Sequence, residues 1–332
     1  MLVGKREFCD YQSIQAAVDE LERDPLEKPV TLYIMSGVYQ EAVRIYRSNL
    51  NIVGIGEVVI TMNRHAKELD ESGEELGTFA TPTLFLGGRR LMLENLIIAN
   101  TAGQGNDIGQ AVAVSAHCDE TLFRSCSFRG HQDTLFTGPL PPFTKAGKAF
   151  GGVPLKEQHA VCRQLYTNCY IEGTIDFIFG GAAAYFEHCE IRSLRHYNDG
   201  PGYITAASTP QHQEYGYLFN ECYFTSDPGV SCVYLGRPWR GYARTDIVNC
   251  RLGGHIHPSG WDPWGNPGNM QTAIYREYGI AGDDPVRSKR AAWAFIPEEK
   301  EAAAGKERFL PGRISGQWKA WSPLSAEAAG IS

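Results

Sequence analysis

An aspartate stands among apolar and aromatic neighbours in each of two short segments, Gly130-His131-Gln132-Asp133-Thr134-Leu135-Phe136 and Gly173-Thr174-Ile175-Asp176-Phe177-Ile178-Phe179-Gly180. An isolated charged carboxylate is costly in such surroundings. Each aspartate lies seven residues after a cysteine, Cys126 and Cys169. The shared phase implies two copies of one structural unit, with the carboxylates at equivalent places. Two carboxylates side by side cannot both ionise easily, so their pKa values are driven apart. An acid that keeps its proton beside an ionised partner is a catalytic arrangement.

A third segment, Tyr234-Leu235-Gly236-Arg237-Pro238-Trp239, supplies the groups such a pair needs. Arg237 can hold one aspartate ionised through paired, charge-assisted hydrogen bonds. Trp239 offers an apolar platform of the type on which sugar rings stack. Gln132 and Gln110 carry amide donors, and two donors aimed at one point stabilise a developing oxyanion. No serine, cysteine or histidine lies in a recognisable nucleophile motif, which leaves a carboxylate to attack an ester and form an acyl-enzyme.

These residues must be positioned by repeating elements. A polar residue, a cysteine, any residue and an apolar residue recur as Ser125-Cys126-Ser127-Phe128, Asn168-Cys169-Tyr170-Ile171, His188-Cys189-Glu190-Ile191, Glu221-Cys222-Tyr223-Phe224 and Asn249-Cys250-Arg251-Leu252. Asn95-Leu96-Ile97-Ile98 reads as the same unit with leucine in the cysteine slot. Short strands returning every twenty-odd residues predict a parallel β-helix with like residues stacked in internal ladders. Apolar runs of strand length lie at 31–35, 50–53, 58–61, 91–98 and 111–114, separated by turn residues. Residues 11–23 place Ile14, Val18 and Leu21 on one helical face, and that helix would cover the open end of the coil. Residues 298–306 are a weaker helical candidate. No linker divides the chain, so one domain over 1–332 is expected, with an N-terminal cap at about 10–24 and a tail at about 285–332.

Two insertions stand out. Residues 67–81 are polar, acidic and glycine-rich, and residues 138–158 contain Pro139, Pro141 and Pro142. The second falls between the two aspartates, which are 43 residues apart. Removing a loop of about twenty residues leaves one β-helix turn. Asp133 and Asp176 would then occupy adjacent rungs, roughly 4.8 Å apart in the stacking direction.

With 332 residues, 43% hydrophobic and 21% charged, the composition is globular. The net charge of −7 argues against nucleic acid and against an anionic membrane surface. It also argues against whole-molecule attraction to a polyanion, so such a ligand would need a locally basic or neutral groove. The start Met1-Leu2-Val3-Gly4-Lys5-Arg6-Glu7 lacks the apolar core of a signal peptide, and no stretch is long and apolar enough to span a membrane. A cytoplasmic protein is the expectation for the chain as written, and a secreted one if it is a trimmed mature form. The nine cysteines lack close C-x-x-C pairing and read as reduced and buried. A monomer is expected.

Structural roles compete with chemical ones for several residues. Asp133-Thr134 is compatible with a simple turn, and Asp176 with a structural acid paired to Arg237. Gly54-Ile55-Gly56 hints at a dinucleotide loop but lacks the third glycine, so a strand-connecting turn is favoured. His255-Ile256-His257 lacks an acidic or cysteine partner and reads as solvent or loop histidines rather than metal ligands. His131 takes at most a supporting role, Asp283-Asp284-Pro285 reads as a surface turn, and nothing near Cys162 argues for a low pKa.

Taken in order, Gly37-Val38-Tyr39-Gln40-Glu41, Gln110-Ala111-Val112-Ala113, Gln132-Asp133-Thr134-Leu135, Asp176-Phe177-Ile178-Phe179-Gly180, Leu235-Gly236-Arg237-Pro238-Trp239, and Gly260-Trp261 followed by Trp264 make the chain resemble the pectin methylesterases, also called pectinesterases. The resemblance covers almost the whole chain. It implies an all-β fold, a right-handed single-stranded parallel β-helix with a short N-terminal capping helix and long loops forming an open cleft. It assigns Asp176 as nucleophile on the methyl ester of a galacturonate unit and Asp133 as general acid and base. Gln110 and Gln132 become the oxyanion hole, and Arg237 orients and ionises Asp176. Phe79, Phe136, Phe179, Trp239 and Trp264 fit aromatic groove positions. It implies pectin or methylated oligogalacturonides as substrate and no metal or organic cofactor. Ser115, Phe136 and Gly181 stand where the family often has arginine, tyrosine and asparagine, departures that bear on substrate preference rather than on chemistry.

Three classes of function stay open on these residues. The first is methyl-ester hydrolysis. The second is a polysaccharide lyase or hydrolase on the same architecture, although a lyase would want clustered acids for calcium. The third is a carbohydrate-binding protein, or a relative acting on another ester or thioester. The acidic net charge favours methylated over demethylated chains as ligands.

Overall fold

The computed structural model describes residues 1–24, 28–282 and 289–295. The candidate turn Asp283-Asp284-Pro285, the helical candidate at 298–306 and most of the expected tail lie outside them.

The chain coils as a parallel β-helix. Among the described residues all ladders between strands are parallel, in one 17-stranded and one 7-stranded sheet. The smaller sheet follows chain order: Val43–Ile45, Leu84–Leu86, Val114–Ala116, Leu135–Thr137, Ile175–Gly180, Gly202–Ala207 and Val233–Gly236. Each turn of the coil therefore adds one strand beside its predecessor.

Register confirms the cysteine repeat. Ile97, Ser127, Tyr170, Glu190, Tyr223 and Arg251 pair in succession. The residues before them, Leu96 and then Cys126, Cys169, Cys189, Cys222 and Cys250, stack in the buried interior. Leucine thus does occupy the cysteine slot of its rung. The polar residue opening each unit is a corner: Asn95, Ser125, Asn168, His188, Glu221 and Asn249 all have φ of 52–56°. Asparagine and short polar residues tolerate this left-handed backbone better than branched ones. All nine cysteines are free.

One hydrophobic cluster runs through the coil from Val3 to Tyr275. Phe123, Tyr166, Phe186 and Phe219 stack inside it with centroids 4.6, 4.5 and 4.4 Å apart, close to the rung spacing. The expected N-terminal helix is Ile14–Leu21, and its Ile14, Ala17 and Val18 join the same cluster. Ser13 caps it by accepting from the Ala16 amide. Glu41 accepts from Ser13 Oγ and from the Ile14 and Gln15 amides, which explains the acid of the Gly37–Glu41 motif structurally.

Three strand readings are corrected. Residues 91–98 form two strands, Arg89–Glu94 and Ile97–Asn100, divided at the Asn95 corner. Of 111–114 only Val114 is in a strand; the Ala111 and Ala113 amides donate to the Gln132 and Thr134 carbonyls of the next turn, and the Val112 amide to Thr81 Oγ1. Gly54 and Gly56 lie within the 13-residue strand Leu50–Met62, where the coil bends, and do not connect two strands.

Candidate active site

The 7-stranded sheet carries the site on its outer face. Val43, Leu84, Val114, Leu135 and Ile178 form an inward column, and the next residues, Arg44, Phe85, Ser115, Phe136, Phe179 and Ala206, point outward. Leu135 pairs with Ile178, which puts Asp133 and Asp176 in register on neighbouring turns. The Asp133 amide donates to the Ile175 carbonyl at 3.0 Å. Both aspartates adopt left-handed backbone, φ 64° and 49°. Asp176 sits on a bulge, since the register against the next strand shifts between Ile175 and Ile178. Thr134 Oγ1 ties the first turn to the second by donating to the Glu172 carbonyl at 2.9 Å. A Cβ at Gly173 would meet the Phe177 Cβ at 2.2 Å and the His131 carbonyl oxygen at 2.6 Å, so only glycine lets the two turns approach.

Arg237 donates from Nε to Asp176 Oδ1 at 2.8 Å and from Nη2 to Oδ2 at 2.7 Å. Its guanidinium lies between the rings of Tyr203 and Trp264, 3.8 and 3.9 Å from their centroids. Stacking on both faces and a fork on the edge fix its plane. The Asp133 carboxyl accepts no hydrogen bond among the described residues.

Electrostatics separate the two acids. Burial, then the charge of Asp176, push the Asp133 carboxyl well above the usual carboxylate range, against a smaller pull from Arg237. Burial raises Asp176 as well, and it stays above its ordinary value, but the hydrogen bonds and charge of Arg237, and the charge of Lys145, offset part of that rise. The proton therefore favours Asp133 over Asp176.

A cavity of about 430 Å³ opens over the pair, lined among others by Gln110, Gln132, Asp133, Asp176, Arg237 and Phe179. The Gln110 and Gln132 side-chain amides have no hydrogen-bond partner among the described residues. Gln110 is anchored through its backbone, whose carbonyl accepts from the Ala66 amide at 2.8 Å, and the Ala111 amide donates to the Gln132 carbonyl at 3.1 Å. Asn100 Nδ2 reaches the carbonyls of Arg64, Thr81 and Val112 and pins the foot of the first insertion beside them.

The two insertions meet at the cavity. Val153 of the second donates its amide to the carbonyl of Phe79 in the first, at 3.0 Å. Phe150 packs edge-on against Phe79 at 5.4 Å and against Trp239 at 6.0 Å. Phe79, Phe179, Trp239 and Trp264 all line the cavity. Phe136 does not, and its expected contact with a ligand is corrected. It is fully buried, wedged under Phe79 and Phe179 at 5.0 and 5.1 Å, and supports the aromatic floor from below. Residues missed in the sequence are Thr144 and Phe150 on the second insertion, Lys145 beside them, and Tyr203 behind Arg237. The insertion has no periodicity that would mark them, and Tyr203 could have been found only from its strand's place beside Arg237.

The departures at Ser115 and Gly181 fit their places. Ser115 is buried in the outward column under the loops. A Cβ at Gly181 would stand 2.9 Å from the Pro139 carbonyl oxygen at the base of the second insertion. His255 is buried rather than solvated, with its imidazole pushed down to about 4 by desolvation, and His257 stacks on Tyr234 at 4.4 Å. Among the described residues no group of three or more His, Cys, Asp or Glu could hold a metal ion, and no helix is long and apolar enough to cross a membrane. Burial raises the Cys162 thiol well above its ordinary value, in keeping with an inert cysteine. His131 lends its backbone carbonyl to the Thr174 amide and does not line the cavity.

Comparison with known proteins identifies the family and the fold. The family model Pectinesterase matches residues 1–154 and 158–312. A probable pectinesterase/pectinesterase inhibitor of Arabidopsis thaliana is 33% identical over 312 residues, covering 88% of this chain and 47% of that protein. A probable pectinesterase A of Aspergillus fumigatus is 33% identical over 94% of this chain and 85% of its own length. The chain spans about half the length of the first Arabidopsis relatives it matches. Among solved structures, a pectin methylesterase from carrot superposes with a TM-score of 0.80 at 26% identity, covering 98% of this chain and 95% of that one. One from Aspergillus niger gives 0.72 at 26% identity, covering 96% and 95%. The fold shared with these enzymes is the right-handed parallel β-helix. This chain belongs to the pectinesterase family.

Proposed function

We propose that the chain hydrolyses methyl esters of galacturonate units in pectin or in methylated oligogalacturonides, through an acyl-enzyme on Asp176. The observation that carries the reading is the asymmetric pair. One carboxyl is bound by Nε and Nη2 of an arginine, and its neighbour on the next rung accepts no hydrogen bond among the described residues and retains its proton, in the same cavity.

In this mechanism an Asp176 carboxylate oxygen attacks the ester carbonyl carbon, and the carbonyl oxygen becomes an oxyanion. The free amides of Gln110 and Gln132 donate to it. As the intermediate collapses, Asp133 gives its proton to the departing methoxide, and methanol leaves. An anhydride then joins Asp176 to the galacturonate carbonyl. Asp133, now a carboxylate, takes a proton from water as the water oxygen adds to that carbonyl. Collapse of the second intermediate expels the Asp176 carboxylate and frees the galacturonic acid. The aromatic walls Phe79, Phe179, Trp239 and Trp264 exclude bulk water and offer apolar faces to sugar rings. The names of the relatives support the ester and the sugar class. Methanol and chain length, assayed together on methylated oligogalacturonides, test the reading. Methanol without shortening is expected, and chain cleavage without methanol would reject it.

A further inference from the structure

The tip of the second insertion is a closed turn. The Thr144 amide donates to the Lys148 carbonyl at 2.8 Å, the Gly147 amide to the Thr144 carbonyl at 3.0 Å, and the Lys148 amide to Thr144 Oγ1 at 3.1 Å. Both ends of the turn are anchored. On one side Arg240 Nη2 donates to the Phe143 carbonyl at 2.9 Å, and Arg240 Nη1 to the Trp239 carbonyl at 2.9 Å. On the other, Phe150 packs edge-on between Phe79 and Trp239. Lys145 lies between these anchors. It is exposed, with Nζ 4.0 Å from the centroid of Trp264. The same ring takes the Arg237 guanidinium at 3.9 Å, so the ammonium shares one indole with the group that forks onto Asp176. Among the described residues no acid lies within ion-pair distance of Lys145, and the acid it faces at longer range is Asp176. Burial, then the charges of Arg240 and Arg237, depress the Lys145 ammonium, and the charge of Asp176 supports it. Asp176 in turn faces Arg237, Lys145 and, with the opposite sign, Asp262, with the hydroxyls of Tyr203 and Tyr275 also nearby. Asp133 answers to burial, Asp176 and Arg237.

We infer that Lys145 is a positioning residue of the reaction: held at Trp264 by the two anchors of the insertion, it acts on the Asp176 nucleophile as a second cation behind Arg237. The inference rests on the esterase reading for the role of Asp176. The two cations differ in how they act. Arg237 is forked onto the carboxylate in a buried pair, which salt screens little. Lys145 acts through space from an exposed tip, a point charge on a flexible stem, and salt screens it strongly. Its effect therefore depends on the insertion staying docked. Activation of the nucleophile on the sheet is in this way tied to the loop that closes over the cavity. Because Asp133 does not answer to Lys145, the ammonium separates the two acids further: it favours the ionised form of one and leaves the other with its proton.

The test is the pH profile of kcat/KM for methanol release from a methylated oligogalacturonide, whose acid limb reports the nucleophile of the free enzyme. In Lys145→Gln the acid limb should move to higher pH while the alkaline limb, carried by Asp133, stays in place. The loss of rate is then largest at acid pH and closes towards the plateau. Lys145→Arg should return the limb to its wild-type position. Lys148→Gln removes an equal charge from the same exposed turn and should leave the limb unmoved. Raising the salt should carry the wild-type limb towards that of Lys145→Gln and leave the variant's own limb still. Arg240→Gln, which frees Phe143, should move the acid limb in the same direction. A uniform loss of rate in Lys145→Gln with both limbs in place would overturn the inference, and so would an equal shift in Lys148→Gln. An unmoved limb in Arg240→Gln would overturn the part assigned to the anchors. Carbon NMR titration of the Asp176 carboxyl, identified by its absence from Asp176→Asn, needs no turnover. A raised midpoint in Lys145→Gln, in a protein that releases no methanol from any substrate, would reject the esterase reading and support the action of Lys145 on Asp176. Equal midpoints in the wild type and Lys145→Gln would overturn that action itself.

Discussion

Replacing Arg237 with glutamine should move the pH dependence of catalysis as a whole, and the structure sets the size of the move. Arg237 makes two hydrogen bonds to Asp176, and the two side chains are 17% and 9% exposed. Breaking a buried ion pair by removing one partner costs about 3–5 kcal/mol. A cost of that size on the ionised form means a marked further rise at Asp176 once the guanidinium is gone. Burial already pushes this carboxyl up, and Arg237 is the main force against it. The nucleophile must be ionised, so the acid limb of kcat/KM should climb by the same amount. Loss of the positive charge also raises Asp133, which carries the alkaline limb, so both limbs shift upward. The assay is methanol release against pH, with far-ultraviolet circular dichroism and a thermal melt to establish folding. Stability supplies a second reading with a definite sign. An acid whose folded pKa is raised stabilises the protein below its unfolded value, near 3.9. That contribution is lost as pH rises through the folded value. The deficit of Arg237→Gln should therefore be small near pH 4 and widen towards alkaline pH. A variant that loses rate uniformly, with its acid limb unmoved, would show that Arg237 only holds geometry and would refute the electrostatic reasoning.

Asp133→Asn removes a group whose folded pKa is raised well above its ordinary value. Its Tm should exceed that of the wild type above pH 4, by a margin that grows with pH, while methanol release is lost; equal melting curves at pH 4 and 8 would contradict this. Phe186→Ala, in the middle of the internal aromatic stack, should cost about 3–5 kcal/mol in urea unfolding with the cavity residues in place. A loss under 1 kcal/mol would mean that the stack contributes little. Gly180→Ala should prevent folding or abolish activity, because a Cβ there would lie 1.9 Å from the Thr137 carbonyl oxygen at φ 126°. Glu41→Ala should lower stability by about 2 kcal/mol through three lost hydrogen bonds to the helix start. Unfolding curves that overlay the wild type would reject that capping role.

Much of the architecture is legible in the chain because a β-helix repeats its constraints. The polar-Cys-x-apolar unit marks a left-handed corner followed by an inward residue, and both requirements act on residue type directly. The same phase locates Asp133 and Asp176 on neighbouring turns, since one 43-residue offset links Ser127 to Tyr170 and Leu135 to Ile178. What could not be read is what the loops do once folded. Phe136 looks like its groove neighbours in sequence. Only the two insertions, one bearing Phe79 and the other Phe150, decide that Phe179 keeps a surface and Phe136 does not. Phe150 and Trp239 are 89 residues apart in the chain and meet because a proline-rich insertion folds back over the sheet, a tertiary contact with no local signature. The apolar run 91–98 reads as one strand by composition although Asn95 within it opens a repeat unit, and the repeat rather than the run marks the corner.

The most direct test of the central claim is methanol release from a methylated oligogalacturonide by the wild type and by Asp176→Asn, with folding of both verified. The wild type should release methanol, and the variant should lose about 10³-fold or more of that rate, as expected when a nucleophile is removed and only binding and the oxyanion donors remain. A folded Asp176→Asn protein that keeps the wild-type rate would contradict the assignment of Asp176 as the attacking group.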